Sequence, residues 1–126
     1  NNGGMELDST EDSMITAVIE GNTVTDNNGA GLFANPIMNG NSKIDLNGNI
    51  FSGNNLMGLN SGSALTLLAE DSAVVCLRMQ DNQSTMEATL PDYDLENLGT
   101  GQFSVEPLIN NTGTISPSGA STASPM

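Results

Sequence analysis

The sequence lacks most of the residues from which active sites and nucleic-acid surfaces are built. It has no histidine, no tryptophan, one cysteine, and only two cations, Lys43 and Arg78, against 15 acidic residues. The formal charge of −13 argues against binding nucleic acid, whose phosphates require Lys and Arg, and against an anionic membrane surface. Cys76 has no second cysteine to pair with, so packing and hydrogen bonds must hold the fold.

Long apolar runs are absent as well. No run approaches the ~18 residues of a membrane span, and no secretory signal is visible. The 126 residues suit one domain with a modest core. Asn, Gly and Ser are abundant, which indicates many tight turns.

A segment of the chain recurs 27 positions later. Residues 18–28 align with residues 45–55, and the apolar positions between the identities match as well. The identical pairs are Gly21 and Gly48, Asn22 and Asn49, Asn27 and Asn54, Asn28 and Asn55, and then Gly31 and Gly58, with Leu32 on Leu59. A fixed period in the range of about 20–50 residues indicates a stack of similar units.

Within each unit the apolar residues alternate with polar ones, which predicts short strands. A third copy places Leu77, Met79 and Asn82 after Ile44, Leu46 and Asn49 at an offset of 33, so six extra residues must lie between Leu59 and Leu77. The Gly and Asn content argues against helical repeats, and the Leu spacing is too sparse for leucine-rich repeats. The pattern predicts a β-solenoid, whose strands pair in parallel from coil to coil at about 4.8 Å.

The pattern from Ile19 to Leu32, repeated from Leu46 to Leu59, resembles the right-handed parallel β-helix repeat. That repeat occurs in the pectin-lyase-like superfamily and in bacterial surface and autotransporter-type passenger proteins, and the resemblance covers residues 4–82. It implies an all-β, right-handed parallel β-helix of about four coils. We expect the coils over residues 1–90, a C-terminal closing segment of the same domain over 91–115, and a flexible Ser/Pro/Ala tail over 116–126.

The stack predicts a position for each recurring residue. Asn22, Asn49 and Asn82 should form a vertical ladder at one turn, Asn27 and Asn54 should hold a second turn, and Gly31 and Gly58 should permit a backbone bend. Asp45 and Arg78 share an outward column and could form an ion pair. The residues expected to be buried are Ala17, Ile19, Val24, Ile44, Leu46, Phe51, Leu77 and Met79, and those expected to be exposed are Glu20, Asp45 and Arg78.

The sequence predicts no catalytic, cofactor-binding or metal site. Cys76 has no histidine to activate it, and no aligned column holds two carboxylates. Three acidic clusters, Asp8/Glu11/Asp12, Glu70/Asp71 and Asp92/Asp94/Glu96, could bind Ca²⁺, although solvated loops explain them more simply.

We therefore expect a non-enzymatic structural or adhesive module, extracellular or on a cell surface. The alternative is a fragment of a polysaccharide lyase or hydrolase with the same fold. We expect no nucleic-acid partner and no membrane insertion, and a polysaccharide or cell-surface ligand stays open. Gly4 and Met5 lie 27 positions before Gly31 and Leu32, so the chain enters the stack part-way through a coil. We expect its ends to stack on another copy or to continue in a longer chain.

Overall fold

The computed structural model of the protein describes residues 4–54, 63–85, 91–106, 108–118 and 121–122. Within those ranges the regular structure is β throughout. The strands are β1 (Met5–Leu7), β2 (Met14–Glu20), β3 (Thr23–Thr25), β4 (Leu32–Ala34), β5 (Asn41–Asn47), β6 (Ile50–Ser52), β7 (Leu65–Ala69), β8 (Val74–Gln80), β9 (Gln83–Thr85), β10 (Tyr93–Asn97), β11 (Gln102–Val105), β12 (Ile115–Ser118) and β13 (Ser121–Thr122).

The strands form three parallel sheets that the chain visits in a fixed order. Sheet A has the order β1-β4-β7-β10-β12, sheet B has β2-β5-β8-β11-β13 in space, and sheet C has β3-β6-β9. All of these pairings are parallel, with β2 and β5 in register from Met14 on Asn41 to Glu20 on Asn47. One passage through sheets A, B and C is called a coil here, and such stacked coils are consistent with a β-solenoid.

The core lies between the three sheets because every second side chain along a strand points inward. In β5 and β8 the inward Ile44, Leu46, Leu77 and Met79 are at most 2% exposed. Val24 and Phe51 are also buried, as predicted. Ala17 and Ile19 are only half-buried because β2 is the edge strand of sheet B. Glu20 and Arg78 are exposed as expected, whereas Asp45 is half-buried beside Arg78.

The alignment of Gly31 with Gly58 is wrong in register. In sheet A, Leu32 pairs with Leu65, and the Gly31 amide donates to the Ser63 carbonyl, so Gly31 lies over Ala64. The offset is 27 as far as Asn27 and Asn54 and 33 from Gly31 onward. The six extra residues therefore lie between Asn54 and Ser63. Gly58 and Leu59, which match Gly31 and Leu32 at an offset of 27, fall within this insertion and lie outside the described residues.

The C-terminal part of the chain also differs from expectation. Residues 91–115 were expected to close the stack, but β10 pairs with β7 and β11 with β8, so they add a further coil. The predicted tail begins at residue 116, yet residues 116–118 belong to β12, which pairs with β10, and residues 121–122 form β13, which pairs with β11. Pro117 is compatible with a strand here because β12 is the edge of sheet A.

Candidate functional site: the asparagine ladders and the B face

The turn that follows sheet B contains a column of four asparagines. Asn49 Oδ1 accepts the backbone N–H and the side-chain Nδ2 of Asn22, at 3.0 and 3.2 Å. Asn82 Oδ1 accepts the same two groups of Asn49 at 3.0 and 2.9 Å. Asn111 Oδ1 accepts those of Asn82 at 3.1 and 2.9 Å. Each oxygen thus binds the preceding coil through two hydrogen bonds.

The amide nitrogens of the ladder also bind strand carbonyls. Asn49 Nδ2 donates to the Ile19 carbonyl at 2.8 Å, and Asn82 Nδ2 donates to that of Leu46 at 2.9 Å. Asn111 Nδ2 repeats this contact with Met79 at 3.0 Å. Asn49 and Asn82 have no exposed surface. Because a buried amide is costly unless it is hydrogen-bonded, these bonds make a polar residue compatible with the interior.

A second ladder follows sheet C. Asn27 donates its backbone N–H and its Nδ2 to Asn54 Oδ1, at 3.4 and 2.8 Å. Asn54 Nδ2 in turn donates to the Val24 carbonyl at 3.1 Å. The predicted residues Asn22, Asn49, Asn82, Asn27 and Asn54 are therefore brought together as two ladders, whereas Gly58 lies outside the described residues.

Backbone conformation explains why these asparagines align. Each of the six follows a residue with φ between 52° and 67°, which turns the chain sharply at the end of a strand: Gly21, Gly48, Asp81, Asn110, Asp26 and Gly53. Sequence reasoning missed Asn111 as the fourth member of the first ladder. Its signal was Asn110-Asn111 after an apolar pair, 29 positions beyond Asp81-Asn82.

Gly31 lies beside the second ladder for a steric reason. A Cβ at this position would lie 2.8 Å from the Ala64 carbonyl oxygen and from Phe51 Cδ1, and 3.0 Å from Asn54 Nδ2. Its φ is not in the left-handed region. Gly31 therefore serves a close approach between coils rather than an unusual backbone angle.

The outward side of sheet B, called the B face here, contains both cations and the cysteine. Its side chains stand in columns across the strands: Met14–Asn41–Val74–Gln102, Thr16–Lys43–Cys76–Ser104 and Val18–Asp45–Arg78. Arg78 Nη2 donates to Asp45 Oδ2 in the ion pair expected from the sequence. This hydrogen bond is the main reason that the pKa of Asp45 is lowered and that of Arg78 is raised.

Cys76 is half-buried in the middle column of the B face. Burial, followed by the nearby Glu106 charge, raises the pKa of its thiol above the ordinary value. This shift disfavours the thiolate, which is the nucleophilic form of cysteine. An apolar depression of about 150 Å³ lies next to it, lined by Met14, Asn41, Ser42, Lys43, Val74 and Cys76.

Several carboxylates of the predicted acidic clusters accept hydrogen bonds from neighbouring turns and strands. Asp92 is buried, accepts bonds from Ser84 Oγ at 3.0 Å and from the Thr114 N–H and Oγ1 at 2.7 Å each, and so fixes the last turn before β12. Burial acts to raise the pKa of Asp92, but the bonds from Thr114 and Ser84 outweigh it and lower the pKa. Asp12 and Asp71 accept hydrogen bonds from Asn39 Nδ2 and the Met38 N–H. Among the described residues, no group of three potential ligands could hold a metal ion.

Among the described residues, nothing pairs with the outer edge of the stack at its N-terminal end. β1, β2 and β3 are edge strands, and an open depression of about 370 Å³ lies at this end, lined in part by Met5, Asn22 and Asn27. Among the described residues, no donor reaches the Oδ1 of Asn22 or Asn27, whereas the oxygens of Asn49, Asn54, Asn82 and Asn111 each accept two bonds. The two ladders therefore end in free acceptors.

Comparison with known proteins identifies no relative. No protein-family model matches the chain, and neither curated proteins nor solved structures give a significant match. Within the described ranges, no helix has the length and apolar character needed to cross a membrane.

Proposed function

We propose that the protein is a non-enzymatic structural or adhesive module of an extracellular or cell-surface protein. We further propose that its fold is a right-handed parallel β-helix of about four coils. The right-handed choice is supported by the strong preference of parallel crossovers for that hand. The proposed function rests on one observation, which is that the recurring asparagines hold the stack together. The asparagines bind one coil to the next and leave no polar group of the ladder interior for a substrate.

The chemistry of the chain supports this proposal. Enzymes that cleave polysaccharides need paired carboxylates, or metal-binding carboxylates beside a base. Here the one buried carboxylate among the described residues, Asp92, has its oxygens bonded to Ser84 and Thr114. The two cations of the sequence lie together on the B face, one of them paired with Asp45.

A cleavage screen tests the absence of enzymatic activity. The chain would be incubated with neutral and acidic polysaccharides from mildly acidic to mildly alkaline pH, with and without added Ca²⁺. We expect no new reducing ends and no unsaturated products. Cleavage activity that co-purifies with the protein and disappears when the protein is heat-unfolded would refute the proposal. It would support the lyase or hydrolase alternative.

We also propose that the N-terminal end binds a further coil, supplied by a longer chain or by another copy. Support comes from the edge strands and from the free Asn22 and Asn27 oxygens, which a coil with asparagine at the same turns would satisfy. Electron microscopy of the isolated chain over a range of salt concentrations tests whether another copy supplies this coil. Filaments with an axial repeat of a few coils would support stacking of copies, and dispersed particles at all salts would exclude it.

A further inference from the structure

The edge strand β2 at the N-terminal end of the stack has backbone groups that are free to pair with a further strand. On its other side β2 pairs in parallel with β5, where the Asn41 N–H donates to the Ser13 carbonyl and the Gly21 N–H donates to the Asn47 carbonyl. The alternation of a parallel ladder then directs the backbone groups of every second residue of β2 outward: Met14, Thr16, Val18 and Glu20. This edge contains no proline, so each outward residue has both an N–H and a C=O to offer.

The opposite edge of sheet A, at the C-terminal end, carries a proline in the outward position. The Tyr93 N–H donates to the Thr114 carbonyl, so the residues on either side of Pro117 bond to β10 and Pro117 directs its backbone outward. Pro117 has no N–H to donate there, which is why proline within a sheet is confined to edge strands. The edge of β12 is therefore a poor template for the β1 of a second copy.

The asparagine ladders are directional. At each step the N–H and Nδ2 of one asparagine donate to the Oδ1 of the asparagine in the following coil. The Oδ1 atoms of Asn22 and Asn27 accept nothing among the described residues, so they require a preceding coil with asparagine at both turns, because asparagine supplies an N–H and an NH₂ from one turn. In a second copy, Asn111 is the last donor of the first ladder. There β12 and β13 already occupy the level in sheets A and B at which the incoming β1 and β2 would lie.

The charges of the two ends also oppose contact between copies. Residues 4–31 contain six carboxylates and no cation, and residues 91–122 contain four carboxylates and no cation. Two copies joined end to end would bring these two acidic sets together. A coil that places a cation beside Glu20, as Arg78 lies beside Asp45 one coil away, suits the N-terminal end better.

The backbone at Gly4 already follows the path of a coil. A Cβ on Gly4 would lie 2.9 Å from Asn27 Nδ2, and a Cβ on Gly31 would lie 3.0 Å from Asn54 Nδ2. The chain therefore enters β1 beside the second ladder as it enters β4 one coil later.

We propose that the N-terminal end binds a coil that leads into Gly4 within the same polypeptide, and not the C-terminal end of a second copy. This inference rests on the end pairing proposed above and assigns its partner. The coil runs parallel to β1, β2 and β3, has asparagines spaced as Asn22 and Asn27 are, and carries a cation beside Glu20.

An extended chain provides the first test. Residues 14–27 would be repeated directly before Asn1, with Glu20→Lys in the added copy, which places the added strand and both added asparagines one period of 27 residues before their originals. We expect amide hydrogen exchange at Thr16 and Val18 to slow at least about tenfold, because their outward N–H groups gain acceptors. Exchange at Ile115, whose N–H lies at the other end of the stack, should stay unchanged and serves as the internal control.

The matched control is the same extension with Asn22→Ala and Asn27→Ala in the added copy. It keeps the added strands but loses the side-chain donors, so it should lose most of the protection at Thr16 and Val18. Equal protection by the two extensions would overturn the requirement for asparagine. Unchanged exchange in both would overturn the end pairing itself.

Sedimentation velocity of the unextended chain tests the exclusion of a second copy. Samples from about 10 µM to about 1 mM would be compared at about 0.02 M and about 0.5 M NaCl. We expect monomers throughout, and end-to-end oligomers that grow with concentration would overturn this part of the proposal. Neither experiment measures polysaccharide cleavage, so failure of the non-enzymatic role is detected separately by the cleavage screen.

Discussion

Asparagine amides bind the coils of this protein together because each amide is both donor and acceptor along one axis. Asn49 accepts two bonds from Asn22 and donates to Ile19 and Asn82, with no exposed surface. A single change at this position therefore leaves donors and acceptors in two other coils without partners. This is a larger loss than that of one exposed hydrogen bond.

We expect Asn49→Ala to lower the free energy of unfolding by about 2–4 kcal/mol, because buried polar groups lose their partners. Asn22→Ala, at the exposed end of the same ladder, should cost about 1 kcal/mol or less. Urea unfolding followed by circular dichroism would measure both. Equal losses in the two variants would contradict a ladder whose strength depends on burial.

The Asp92 carboxylate should make stability depend on pH. Its pKa is lowered in the folded protein below its ordinary value of 3.8, so it stabilises the fold above that value. The contribution is lost as pH falls through the folded pKa. Asp92→Asn should cost about 1–3 kcal/mol at neutral pH, because the neutral amide has one acceptor oxygen where the carboxylate uses two, and its hydrogen bonds are weaker than those to a charged group. Melting curves from neutral pH to below the ordinary value should converge for the two proteins, and a constant difference would exclude this role.

Residue positions were predictable from the sequence where the period was strict. Asn22, Asn49 and Asn82 could be placed because Gly or Asp precedes each one and apolar alternation fixes the strand before it. Asp92 could not be placed, since its partner Ser84 replaces the apolar Val24 and Phe51 of the first two coils in β9, and Thr114 lies beyond the last repeat that the sequence reveals. Its acidic neighbours made it resemble a surface residue.

At the level of strands and turns, glycine serves two different purposes in this stack. Gly31 allows a close approach of coils, whereas Gly21 has φ of 65° and no atom within 4 Å of a Cβ placed there. Gly31→Ala should lower stability by about 1–3 kcal/mol through steric overlap with Ala64 and Phe51. Gly21→Asn should cost less than about 1 kcal/mol, because asparagine tolerates the left-handed region. Thermal melting of the two variants tests this, and a larger loss in Gly21→Asn would contradict it.

The strands of the last coil show where sequence patterns lose their information. β10 and β11 keep the register of β7 and β8, yet their inward residues include Tyr93 and Phe103 in place of Leu65 and Val75. The Gly-Asn turn is also replaced by Asn110-Asn111. Burial and alternation were conserved while residue identities were not, so an identity-based period ended one coil too early.

At the scale of the whole molecule, charge opposes folding. Fifteen acidic residues face two cations, and the described residues contain a single ion pair. Raising NaCl from about 0.02 M to about 0.3 M shortens the Debye length from about 20 Å to about 6 Å. The melting temperature should therefore rise by several degrees, and equal concentrations of an uncharged solute should not reproduce the effect at the same size. A melting temperature that is flat or falls with salt would show that self-repulsion is negligible.

The aromatic contact in the core has an optical consequence. Tyr93 is fully buried, its ring stands edge-on to Phe51 with centroids 6.5 Å apart, and its hydroxyl donates to the Thr112 carbonyl at 3.0 Å. The sequence has no tryptophan and no other tyrosine. Near-ultraviolet absorption and intrinsic fluorescence above the phenylalanine band therefore come from one side chain at the junction of two coils. Tyr93 is therefore a local probe of the C-terminal coils. Its absorption and fluorescence will detect loosening of these coils before the circular dichroism of the remaining strands changes.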